Sequence, residues 1–109
     1  MSFDPTKLGS SFIYRDSAVV TNPNQPAVIV GANSYRVALH LQATANNAML
    51  RPVQSADGTH GLFSSPTSAP LEFSMAKEGP LCQQQWTVFS NTQATIYVLE
   101  TLWQPVAGE

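Results

Sequence analysis

The stretch Arg36-Val37-Ala38-Leu39-His40-Leu41-Gln42 alternates apolar and polar side chains with a period of two. That is the pattern of a half-buried strand, and it excludes an amphipathic helix over the same residues. It predicts Val37, Leu39 and Leu41 on one face and Arg36, His40 and Gln42 on the other. Leu71-Glu72-Phe73-Ser74-Met75 alternates in the same way, which points Leu71, Phe73 and Met75 inward, and Trp86-Thr87-Val88-Phe89 begins likewise. Ala94 to Trp103 is rich in β-branched and aromatic residues, with Ile96, Val98 and Leu102 on one side and Tyr97, Leu99 and Trp103 on the other. A strand apolar on both faces needs cover on both, from a neighbouring segment or a partner chain.

Turn signals punctuate these runs at short intervals. Asn22-Pro23-Asn24-Gln25-Pro26 cannot continue a helix or a central strand, because each proline lacks a donor and restricts the residue before it. Gly31 to Ser34, Asp57-Gly58, Ser64 to Pro70, Lys77 to Pro80 and Ser90 to Gln93 are the other breaks. They leave about eight candidate strands, at 12–15, 18–21, 26–31, 35–43, 48–54, 70–76, 83–90 and 94–103. The one helix candidate, Thr44 to Arg51, is short and ends against Pro52. The expected fold is all-β: a compact antiparallel β-sandwich of about eight short strands, jelly-roll or immunoglobulin-like, with an N-terminal arm. Residues 1–11 read as the arm, 12–104 as the sandwich domain and 105–109 as a C-terminal tail. Phe3, Phe12 and Tyr14 are the candidate contact residues for an oligomer or a shell, and Leu8 adds to the apolar character of the arm.

Composition narrows the function classes. In 109 residues only 11% are charged against a usual share of about 25%, while Ser, Thr, Asn and Gln together supply 34 residues. The net charge is −2, and Lys7, Arg15, Arg36, Arg51 and Lys77 stand apart from one another, so no footprint for nucleic acid exists. No run is long enough for a membrane-spanning helix, and no basic start with an apolar stretch suggests a signal peptide. Cys82 is the only cysteine, which excludes an internal disulfide and a paired-cysteine metal site and fits a reducing cytoplasm.

Catalytic chemistry is not expected, and neither a metal nor a cofactor. His40 and His60 lie twenty positions apart, one on a polar strand face and one in a Gly-Thr-His-Gly turn, and both read as solvated. Cys82 has no adjacent base or helix start to activate it and reads as a small buried hydrophobe. The carboxylates form no calcium-loop spacing, and no Gly-rich phosphate loop or nucleophile elbow is present. Glu100 interrupts the apolar face begun by Ile96 and Val98; it either pairs with Arg36 or Arg51 or, the preferred reading, reaches solvent near the strand end. Gln83-Gln84-Gln85 reads as a polar strand edge. Trp86, Trp103, Tyr35 and Tyr97 read as core or interface aromatics, with a sugar-stacking platform as the alternative.

From Arg36 onward the order of features resembles a group of small tailed-phage virion proteins. Arg36-Val37-Ala38-Leu39-His40-Leu41-Gln42 stands where that group has Arg-x-x-Leu-x-(Ile/Leu)-Gln. The polar turn and short strand Ala45 to Pro52, the alternating Leu71-Glu72-Phe73, the turn Gly79-Pro80, the Trp86-Thr87-Val88 strand and the closing Val98-Leu99-Glu100 follow in the same order. The resemblance implies a non-enzymatic virion protein that decorates or cements a capsid. Its implied partners are copies of itself, with a trimer among the orders open, and the major capsid protein. No nucleic acid or membrane is among them, and its place is the virion, after synthesis in the host cytoplasm. The alternatives are a receptor- or carbohydrate-binding module of a fibre or spike, for which a glycan would be the ligand, and a neck or tail component.

Overall fold

The computed structural model describes residues 11–104. Eight antiparallel strands run in chain order as β1 (Ser11–Val20), β2 (Ala27–Val30), β3 (Arg36–Ala45), β4 (Ala48–Pro52), β5 (Leu62–Ser64), β6 (Leu71–Ser74), β7 (Trp86–Phe89) and β8 (Thr95–Gln104). A 3₁₀ helix over Gly79–Gln83 precedes β7. The strands make two four-stranded sheets, ordered β1-β8-β3-β6 and β2-β7-β4-β5. In this arrangement β1 pairs with β8, β2 with β7, β3 with β6 and β4 with β5. Such nesting of a long folded hairpin across two sheets is the jelly-roll order, so topology decides between the two sandwiches that periodicity left open.

The core lies between the sheets. Leu39, Leu41, Ala43, Ile96 and Val98 face Ile29, Ala48, Leu50, Trp86 and Val88, all buried. The Phe73 and Trp86 rings, one from each sheet, lie 4.7 Å apart at 33° and tie the layers together. The Trp86 indole N–H donates to the Leu81 carbonyl at 3.2 Å, so its one polar atom is satisfied in a buried site.

Several local expectations are corrected. The candidates at 12–15 and 18–21 are one strand, because Asp16 and Ser17 continue the ladder to β8 without a break. On a sheet edge both polar residues reach water without leaving the strand. Leu62–Ser64 forms β5, a strand too short to show a period. The helix candidate Thr44 to Arg51 is instead the end of β3, a tight turn at Asn46 with φ of 62°, and β4. Gln83 closes the 3₁₀ helix and Gln84 and Gln85 lead into β7, so the glutamine run is a half-buried connection, not a strand edge. β6 ends at Ser74, which leaves Met75 exposed in the following turn.

The register of β3 against β8 slips between Arg36 and Ala38. A bulge of this kind re-aims side chains. Arg36 therefore turns onto the core face with Leu39 and Leu41, and Val37 moves to the outer face, the reverse of what strict alternation predicts.

Candidate interaction surface

Beneath the surface an ionic anchor holds β1, β3 and β8. Along β8 the inward positions are Ile96, Val98, Glu100 and Leu102, so Glu100 occupies a core slot. Its Oε1 accepts from Arg36 Nε at 2.9 Å and Nη2 at 2.7 Å, and its Oε2 accepts from Arg15 Nε at 3.1 Å. Arg36 is buried as well. Its remaining N–H groups donate to the carbonyls of Cys82 (3.1 Å), Gln84 (3.1 Å) and Gly31 (2.6 Å). All five guanidinium donors are thus used, the condition under which a buried arginine is tolerated. Burial pushes the Glu100 carboxyl up, but the hydrogen bonds from Arg15 and Arg36 outweigh it and hold the group below its ordinary value. The preferred sequence reading of a solvated Glu100 is therefore wrong. Arg51 lies elsewhere, bonded to Gln54 at 2.6 Å and near Asp57 at 3.7 Å.

Above this anchor the outer face of the β1-β8-β3-β6 sheet carries Phe12, Tyr14, Asp16 and Ala18 from β1, opposite Trp103, Thr101, Leu99 and Tyr97 of β8. Tyr97 donates its hydroxyl proton to Asp16 at 3.1 Å, a bond that raises the phenol's pKa. At one end of this face Phe12, Tyr35, Val37, Met75 and Trp103 line an open apolar groove of about 510 Å³. Tyr35 and Trp103 stand 6.3 Å apart, and the Trp103 backbone N–H donates to the Tyr35 carbonyl at 2.8 Å. Of the sequence-predicted contact residues, Phe12 and Tyr14 share this face, while Phe3 lies outside the described residues. The four-aromatic platform is not assembled: Trp86 is in the core, Tyr97 sits along the strand beside Asp16, and only Tyr35 and Trp103 meet.

The other sheet carries a second outward cluster that sequence reasoning missed. Met49 pairs with Phe63 of β5 on one side and Phe89 of β7 on the other, which sets three large side chains in one row. With Asn47, Ala48, Gly58, Ser90 and Asn91 they line a hollow of about 300 Å³. Only the recognition of β5 brings Phe63 into that row, and three residues carry too little pattern to reveal it.

The described titratable groups lie in separate places on the fold. In the β4–β5 loop Asp57 accepts the backbone N–H groups of Thr59 and His60, at 2.9 and 2.7 Å, and meets His60 Nδ1 at 3.0 Å. The Thr59 N–H, followed by the His60 ring and backbone, holds the Asp57 carboxyl well below the usual carboxylate range. Thr59 Oγ1 meets the same ring nitrogen, Nδ1, at 2.9 Å. A proton relay needs the carboxylate on one imidazole nitrogen and the hydroxyl on the other. This cluster is a turn stabilised by its own side chains. His40 faces Glu72 at 4.0 Å on the outer sheet surface. Cys82 is fully buried, with its thiol 3.6 Å from the Arg36 carbonyl and its pKa raised by burial. Among the described residues no group of three His, Cys, Asp or Glu is placed to hold a metal, and no helix is long and apolar enough to cross a membrane.

The fold and surface together define a jelly-roll β-sandwich with apolar side chains presented on both outer faces. Comparison with family models, with curated proteins and with solved structures finds no match for the chain.

Proposed function

We propose that this chain is a structural protein of a tailed-phage particle, acting without catalysis as a decoration or cement protein of the head through contacts with its own copies and with the major capsid protein. One observation carries the reading. Tyr14, Val20 and Tyr35 on the β1-β8-β3-β6 side, and Val28, Val53 and Phe63 on the other, are each more than half exposed. Large apolar side chains on both sides of one small domain suit a subunit covered on both sides by neighbours. The scarcity of charge agrees, since neutral polar groups are far less costly to desolvate than ions. The jelly roll is shared by capsid and lectin domains and does not by itself select a role.

The test is the copy number of this protein in purified particles, by quantitative mass spectrometry against the main shell protein. A count comparable to the shell protein is expected. A handful per particle moves the protein to a vertex, neck or fibre, and complete absence overturns the reading.

The hollow beside Phe63, Met49 and Phe89 supports a second reading, a carbohydrate-binding module, because it joins apolar rings to the neutral amides of Asn47 and Asn91. Under that reading a glycan panel gives binding that Phe63→Ala abolishes. A flat response across the panel removes it.

A further inference from the structure

We infer that β1 is an assembly strand: its outer edge pairs antiparallel with β1 of a second copy about a two-fold axis, continuing the four-stranded sheet across the pair. Among the described residues the two sheets have four edges, at β1, β6, β2 and β5. Three are blunted in the ways proteins protect open edges. β6 has four residues, β5 has three, and β2 has four with a register shift between Val28 and Val30. β1 has ten residues, with no proline, glycine or lysine, and its register to β8 runs unbroken from Ser11↔Gln104 to Val20↔Thr95. An edge this long and regular is a template for another strand.

Among the described residues little of the chain packs on β1. The strand touches the rest of the described molecule chiefly through β8. From Phe12 to Val20 only Val19 is even half-buried. Ile13 points toward the inner side, opposite the buried Leu102, and is still 42% exposed. Ordering ten residues costs backbone entropy, and little apolar burial among the described residues offsets it.

The occupant is chosen by charge and symmetry. The only charges on β1, Arg15 and Asp16, are adjacent and of opposite sign, and Arg15 is already committed to Glu100. The strand therefore suits neither an acidic nor a basic partner and tolerates a copy of itself. A two-fold axis perpendicular to the sheet makes the contact isologous and closes it in one step. It also places Ile13 and Tyr14 beside partner side chains on opposite faces of the extended sheet.

The inference is separable from the virion reading, because it is measured in solution with no particle present. Sedimentation velocity of the full chain over increasing concentration should show a monomer–dimer equilibrium. Hydrogen exchange should show β1 amide protection that rises with the dimer fraction. Ser17→Lys and Ala18→Lys, one on each face of the strand, should each weaken association by at least about tenfold, because a charged side chain on either face is forced against the partner strand. Thr67→Lys, in the exposed turn between β5 and β6, should leave it unchanged, and native Trp86 fluorescence would verify that each variant is folded. A chain that stays monomeric at every concentration overturns the proposal. So does an oligomer of any order that neither lysine weakens, or β1 protection that is independent of concentration. Absence from particles, with the dimer intact, would sink the virion reading alone.

Discussion

Arg36 Nη2 lies 2.7 Å from Glu100 Oε1, joining two side chains 64 positions apart beside the hydrophobic core. The pair links β3 to β8, and the three carbonyls on Arg36 extend the link to the Gly31 turn and the 3₁₀ segment. Removing one member strands the other charge in the core, which costs about 3–5 kcal/mol. Arg36→Met and Glu100→Leu should each destabilise by that amount in urea titrations. The double variant should lose less than the sum of the two. Arg36→Lys should not rescue, because three donors cannot meet the acceptors that five now satisfy.

Acid should unfold the protein through the same carboxylate. Glu100 is held below its ordinary value of 4.5, so near that pH the unfolded chain binds more protons than the folded one. The stability it contributes is therefore fully present above pH 4.5 and is lost as pH falls through the lower folded value. Thermal melts should show a constant contribution at neutral pH and a falling Tm below that point. Asp57, also held low, adds to the fall, so the Glu100→Gln comparison in an Asp57→Asn background isolates the buried group. A parallel acid profile in the two proteins would refute the assignment.

Two backbone positions should respond in opposite directions. Gly61 has φ of +122°, and a Cβ there would run into the Leu50 carbonyl oxygen, so Gly61→Ala should destabilise by about 2 kcal/mol or more. Val53 has φ of +69°, with its N–H on the Gln85 carbonyl and Gln54 N–H turned back to the Pro52 carbonyl at 2.7 Å. A β-branched residue is strained there, and Val53 buries little. Val53→Gly should raise stability by about 1 kcal/mol, the strain relieved less the entropy added to the unfolded chain. Gly31→Ala, where a Cβ meets nothing, serves as the neutral control.

The two tryptophans should separate spectroscopically. Trp86 is fully buried against Phe73, whereas Trp103 is half-buried beside Tyr35 and the groove. In Trp103→Phe the remaining emission should be blue-shifted and nearly inert to acrylamide. Trp86→Ala should cost about 3–5 kcal/mol through the cavity it leaves. Strong quenching of the single Trp86 would place it at the surface and contradict this core.

Much of the architecture was legible in local pattern. Leu39 and Leu41 on β3, Ile96 and Val98 on β8, and Trp86 and Val88 on β7 could be assigned to a buried face from alternation alone, because a period of two survives in any β-sandwich. The burial of Cys82 was equally readable. The outward placement of Tyr97, Leu99 and Trp103 on β8 was readable in the same way.

The misreadings share one cause: each depended on a distant partner. Whether Asp16 and Ser17 break a strand depends on β8 lying beside them, and whether Leu62–Ser64 is a strand depends on β4. Arg36 reached the core only because a bulge against β8 reversed its direction, and Glu100 could be buried only once Arg36 and Arg15 were there to meet it. Alternation along a strand is written residue by residue, so the sequence alone decided that this chain makes strands and which side chains they bury. The pairing of β1 with β8, and everything the edge and the anchor owe to it, is a contact between opposite ends of the chain that no local period encodes.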